Sequence, residues 1–230
     1  MKEFINHSEY FGIILSLLAY GIGIMARRKF RFFLFNPVLV AITLCIVVLL
    51  LTGCEYSSYN HSAKYISYLL TPATVCLAIP LYEQMTLLKK NFTAITLGIA
   101  SGVIGSLTSI FIMAMLFALN HHEYVTLLPK SITTAIGIGL SQELSGYVSI
   151  TVAAIIITGL FGNIASEQIC KILKIEHPVA KGIAIGTSTH VMGTAKAMEM
   201  GRIEGAMSSL SIAVAGCMTV ACAILYENLI

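Results

Sequence analysis

The sequence predicts an all-α polytopic membrane protein, and three observations predict it. Of the residues, 57% are hydrophobic and only 11% charged, against roughly 25% charged in an ordinary soluble domain. Apolar runs long enough to cross a bilayer recur along the chain, a crossing helix needing about 20 residues. Between them lie two segments too apolar for exposed loops yet too broken for crossings.

The runs fall at 11–26, 33–51, 66–82, 92–119, 147–164 and 203–226. In hydrocarbon every backbone amide must be paired within the chain, so runs this rich in Leu, Ile, Ala and Met are helices. The first is followed by Arg27, Arg28, Lys29 and Arg31, the reverse of a cleavable signal peptide. It is expected to be a retained helix. Basic residues mark the cytoplasmic side, which puts that cluster inside with Lys89, Lys90, Lys171, Lys174, Lys181, Lys196 and Arg202, and puts Lys2, Lys64 and Lys130 outside. The expected topology is six crossings with both termini outside, in a single membrane domain over 1–230.

The first broken segment, 127–146, holds Pro129, Lys130, Ser131, Thr133, Thr134, Gly137 and Gly139. The second, 177–200, is interrupted by Gly182, Gly186 and Gly193 and carries Thr187, Ser188, Thr189, His190 and Thr194 at its centre. Irregular backbone at membrane depth is tolerated only where it is buried in protein or lines a watery cavity. Two such segments predict a cavity, the first dipping in from outside and the second from inside.

A shift of 57 positions (129 minus 72) pairs Pro72 with Pro129, Gly102 with Gly159 and Gly105 with Gly162, and a second shift pairs Ser131 with Ser188 and Gly159 with Gly216. This divides the chain into two first helices (10–51) and three repeat-like units, 64–119, 127–165 and 177–228. Inverted units with broken helices meeting near the midplane are a design of secondary transporters. The repeat conflicts with the charge count at 66–82, which is a crossing by charge and re-entrant by repeat. Pro72 and Pro80 predict a kink there.

Helix N-termini and adjacent hydroxyls attract anions. Ser131, Thr133, Thr134, Thr187, Ser188 and Thr189 are therefore candidate carboxylate-binding residues, with tight helix packing as the alternative role for such small residues. His190 is the one histidine placed deep in the membrane. Its ordinary pKa suits proton coupling, and the alternative is a neutral brace hydrogen-bonded to backbone carbonyls. Lys196 is a candidate for capturing the anion at the inner face. The chain has no Asp, no zinc-protease or P-loop motif and no nucleophile elbow, so no enzymatic activity, metal or cofactor is expected. The six cysteines lack metal-like spacing, and the small positive charge says nothing of nucleic acid.

LLTPATVCLAIPLYEQ from Leu69, LLPKSITTAIGIGLSQ from Leu127, ITGLFGN from Ile157 and GIAIGTSTHVMGTAKAMEMGRIEGAMSSLS from Gly182 together resemble the LrgB/CidB family over essentially the whole chain. The resemblance implies two functions. One is an antiholin-like modulator of murein hydrolase export and lysis, working with a small holin-like protein of the LrgA/CidA type. The other is movement of short carboxylates such as pyruvate and glycolate, as in the related plastid glycolate and glycerate carrier. The residues themselves favour the second, since a polar, broken midplane is what a solute pathway needs. The expected function is a secondary transporter or facilitator of small monocarboxylates, with a homodimer compatible with the Gly-rich helices. The family pattern has a proline where this chain has Ala135, followed here by Gly137 and Gly139.

Overall fold

The computed structural model describes residues 8–30, 35–69, 72, 75–76, 78–83 and 85–230 of the 230-residue chain. Every regular element among the described residues is helical. The chain forms two compact units, Met1–Cys76 and Leu77–Ile230.

Three helices are complete among the described residues of the first unit. Helix α1 (Phe11–Phe30) is 20 residues long, about 30 Å at 1.5 Å per residue, the thickness of the hydrocarbon. Helix α2 (Pro37–Thr52) starts at Asn36, whose Oδ1 accepts from the Val38 amide at 2.9 Å, and stops at Gly53 with φ 60°, a left-handed stop that only glycine adopts cheaply. Helix α3 (Tyr56–Tyr68) packs on α1, where the Gly12 amide donates to Ser62 Oγ at 2.8 Å. The expected crossing at 66–82 is not one helix. Ile66 belongs to α3, which ends at Tyr68, and residues 78–83 form a separate short helix. Leu70, Thr71, Ala73, Thr74 and Leu77, in its middle, lie outside the described residues.

The second unit carries the two broken segments. It runs through α4 (Ala78–Glu83), α5 (Met85–Lys90), α6 (Phe92–Leu116), α7 (His121–Leu127), a 3-10 turn (Leu128–Ser131), α8 (Thr134–Glu143), α9 (Val148–Ile172), α10 (Pro178–Met200) and α11 (Arg202–Glu227). Helices α1, α6, α9 and α11 are long and apolar enough to cross a membrane, and α2 is a shorter apolar helix. On α6 the buried stripe is Ile95, Ile99, Val103, Leu107, Ile110 and Ala114, spaced at three and four residues as one helix face requires. Leu97, Ile104, Ile112, Met115 and Leu116 lie on its exposed surface. Apolar side chains exposed in such number have lipid as their solvent, and the fold is that of a polytopic α-helical membrane protein.

Helices α10 and α11 form the most extensive contact, because Gly182 and Gly186 of α10 lie against the backbone of Glu204 and Ser208. Small residues at a helix interface permit that approach.

Candidate functional site

The first break begins at Pro129, which has no amide hydrogen to continue α7 and favours the tight turn that follows. Ile132 and Thr133 are extended, with ψ of 176° and 146°, before α8 resumes the helix. The ends of the segment meet. Thr126 Oγ1 accepts from the Tyr147 amide at 2.8 Å, and the Thr151 hydroxyl donates to the Thr126 carbonyl at 2.9 Å and shares a 2.7 Å hydrogen bond with Ser141. His122 Nδ1 lies 3.0 Å from the Ser145 carbonyl. A segment pinned at both ends to one place returns to the side it came from, so 126–147 is a re-entrant hairpin.

The second break lies at His190, whose φ of 44° and ψ of −143° divide α10 into half-helices at 178–189 and 191–200. A non-glycine residue held there costs of order 1–3 kcal/mol, and its neighbours hold it in place. His190 Nε2 lies 3.0 Å from the Ile155 carbonyl of α9. A carbonyl only accepts, so this nitrogen carries the proton. Asn163 Nδ2 donates to the Met192 carbonyl at 2.7 Å, and the Thr194 hydroxyl reaches the His190 carbonyl at 2.9 Å and Ser208 at 2.7 Å. Glycines seat the cluster: a Cβ on Gly159 would stand 2.5 Å from His190 Cε1, one on Gly102 2.7 Å from Thr187 Cγ2, and one on Gly162 would overlap Thr189.

Between α6, the 3-10 turn and the first half of α10 lies a cavity of about 810 Å³. Helices α6 and α10 run parallel along it, Gly98 facing Ile183 and Gly102 facing Thr187. Asn91, Ile175 and His177 line one end, and Ser106, Ser109, Lys130 and Ser131 the other. From Ala94 to Ser109 the wall extends about 22 Å along α6. Ser131 Oγ is 3.1 Å from Ser106 Oγ and accepts from Lys130 Nζ at 3.2 Å. Thr187 Oγ1 is the one buried side-chain oxygen or nitrogen among the described residues with no hydrogen-bond partner.

Of the expected binding residues, the structure brings Ser131, Thr187 and Ser188 into this lining. Thr133 and Thr134 stand at the start of α8, outside it. Thr189 faces Gly162 and bonds its own turn, donating to the Ile185 carbonyl at 2.7 Å. His190 sits in the wall between α9 and α10, with only 4% of its surface exposed, and does not line the cavity. The start of α8 lies apart from the lining, whereas the first turn of α10 forms part of one end.

Lys196 is held elsewhere, in ion pairs with Glu167 at 2.9 Å and Glu199 at 3.3 Å. Burial alone would lower its pKa, but the hydrogen bonds and charges of Glu167 and Glu199 outweigh burial and hold it above the ordinary lysine value. This network borders a second, charged cavity of about 480 Å³ that also touches Lys171, Lys174, Lys181, Glu176 and Glu204. Lys130 is the residue that sequence reasoning missed, having been assigned to the outer surface as a topology marker. Its signal was its position inside the broken segment itself.

Comparison with known proteins gives one consistent answer. The LrgB-like family model matches residues 16–229. Antiholin-like protein LrgB of Bacillus subtilis (strain 168) is 39% identical over 214 residues, 93% of either chain. Its namesakes from Bacillus cereus (strain B4264) and Bacillus anthracis (strain CDC 684 / NRRL 3495) are each 40% identical over the same span, again 93% of either chain. No solved structure matches the chain.

Proposed function

The chain belongs to the LrgB-like family, and from that premise we propose that it is a bacterial inner-membrane protein that carries small monocarboxylates, of the pyruvate, glycolate or lactate type, through the cavity beside α6. The observation behind this reading is the end of that cavity formed by Ser106, Ser109, Lys130 and Ser131, where one lysine and several hydroxyls converge and no carboxylate is among the described residues of the wall. Pockets of this volume suit small solutes.

Depth supports it. Helix α10 starts at Pro178, just after the exposed His177 and among the charged residues Lys174, Glu176 and Lys181, and Ser188 lies ten residues further in. That is about 15 Å, half the hydrocarbon thickness. An ionisable group within the membrane, as Lys130 is in this reading, is costly and marks a solute pathway. The long helices α6, α9 and α11, of 25, 25 and 26 residues, alternate with the broken segments, which suits related units moving against one another around a central site. His190 takes the role of brace in this reading, since its ring faces a backbone carbonyl.

The relatives' name favours a second reading more directly than the first: an antiholin-like modulator of lysis acting with a holin-like membrane partner. Uptake of radiolabelled pyruvate, glycolate and lactate into proteoliposomes holding this chain alone, with and without an inward proton gradient, separates the two. Saturable uptake supports transport. Folded protein that takes up none of the three, yet alters leakage when a holin-like partner is reconstituted with it, supports the modulator. A His190→Ala variant that folds normally but loses only the gradient stimulation would replace the brace with a proton-coupling role.

A further inference from the structure

The charges lining the cavity point to a selectivity that its hydroxyls alone would not give. Among the described residues Lys130 is the only lysine or arginine in the lining, and no Asp or Glu is there. Its Nζ donates to Ser131, and among the described residues it has no carboxylate partner. An ammonium without a counter-charge in a membrane-embedded wall is costly. Thr187, only 5% exposed, lines the same cavity with its hydroxyl unpartnered. A buried polar atom left unpaired is costly as well. The two features are close. Thr187 rests on Gly102 and Ser131 on Ser106, and those α6 positions are one turn apart, about 6 Å.

We infer that Lys130 and Thr187, with the hydroxyls of Ser131 and Ser106 between them, form a seat for one negative charge, so that the cavity accepts small monoanions and refuses dianions. The inference rests on the transport reading and names the residues behind its selectivity. A carboxylate placed there takes one hydrogen bond from Nζ, and the pair with Lys130 is neutral; Thr187 Oγ1, closed off in the wall, donates the second once its side chain turns toward the cavity. A dianion brings a second charge for which the wall offers no partner, in surroundings too apolar to screen it. The phosphodiester of an anionic lipid shares the chemistry of a monoanion, and the test separates the two sources.

The experiment is equilibrium binding of radiolabelled pyruvate to the full chain in neutral detergent, competed in turn by acetate, by succinate and by short-chain phosphatidylglycerol. For the wild type, acetate displaces pyruvate and succinate does not. Lys130→Gln weakens pyruvate binding by about ten-fold or more, Lys130→Arg retains most of it, and Thr187→Val loses about three- to ten-fold, the ordinary range for charged and neutral hydrogen bonds. Ser109→Lys adds a second cation to the lining at an exposed position and lets succinate compete. Should Lys130→Gln misfold, Thr187→Val and Ser109→Lys carry the test. Binding unchanged in folded Lys130→Gln, or wild-type protein displaced equally by succinate, overturns the seat while leaving transport standing. Displacement by phosphatidylglycerol that depends on Lys130 overturns it in favour of a lipid site. Wild-type protein that binds no pyruvate at all overturns the seat, and absent uptake in the same preparation brings down the transport reading with it.

Discussion

Replacing Gly159 with alanine should loosen the second break by a calculable amount. The new Cβ would lie 2.5 Å from His190 Cε1, 2.7 Å from Nε2 and 2.8 Å from Met192 Sδ, where carbon atoms pack at about 3.5–4.0 Å. The imidazole must withdraw by about 1 Å, and its 3.0 Å hydrogen bond to Ile155 goes with it. Overpacking costs about 1–3 kcal/mol and a stranded buried donor about 1–3 kcal/mol, while exchanging glycine for alanine in a helix returns about 1 kcal/mol. The net loss is about 1–5 kcal/mol, which lowers the melting temperature by about 2–20 °C at this chain length. Gly105→Ala is the control, because its Cβ meets nothing within 4 Å. Thermal unfolding in detergent followed by circular dichroism reads both variants. The double variant Gly159→Ala/His190→Ala should lose less than the two single losses added together, since the clash partner is gone. Gly159→Ala melting with the wild type, or Gly105→Ala falling as far, would refute the reasoning.

Three further outcomes follow from the same contacts. Thr151→Val leaves the Ser141 hydroxyl and the Thr126 carbonyl without their shared partner, so it should cost about 1–3 kcal/mol and speed hydrogen exchange at Gly146 and Tyr147; unchanged exchange there counts against the pinned hairpin. Asn163→Ala removes the donor to the Met192 carbonyl and should raise exchange in 191–200 more than in 178–189, whereas uniform protection of α10 would show that Asn163 does not hold the break. The pKa of Lys196 is raised above 10.5, so its charge-linked stability is fully present below the ordinary value and is lost only as pH rises through the raised one. Lys196→Met should therefore lower the melting temperature by a constant offset between about pH 5 and pH 9, and an offset that changes within that window contradicts the pairing with Glu167 and Glu199.

The long helices were legible because bilayer thickness sets a length that few soluble helices combine with so little charge. The breaks were legible because proline, glycine and hydroxyl residues crowd into otherwise apolar stretches, and the structure breaks at Ile132 and Thr133 and again at His190. Helix α3 was not legible. Its YSSYNHSAKYISY composition offers neither an apolar run nor strong propensity, and packing on α1 decides it. Within TSTH the sequence could not sort roles, since Thr187 and Thr189 are two residues and so about 200° apart on a helix. One lines the cavity and the other fills the notch at Gly162. Lys130 was placed only as a topology marker for a related reason. A lone lysine beside an external loop signals topology, and whether a carboxylate meets it is settled only by tertiary contacts.

The most direct test of the solute pathway is to block it without touching its polar groups. Gly105 lines the cavity, and its Cβ direction is open, so Gly105→Leu fills the passage beside Ser106 while leaving the helix contacts intact. Uptake of labelled pyruvate into proteoliposomes should be saturable for the wild type and nearly abolished for Gly105→Leu at an unchanged melting temperature. Equal uptake by the two proteins would contradict a pathway through this cavity.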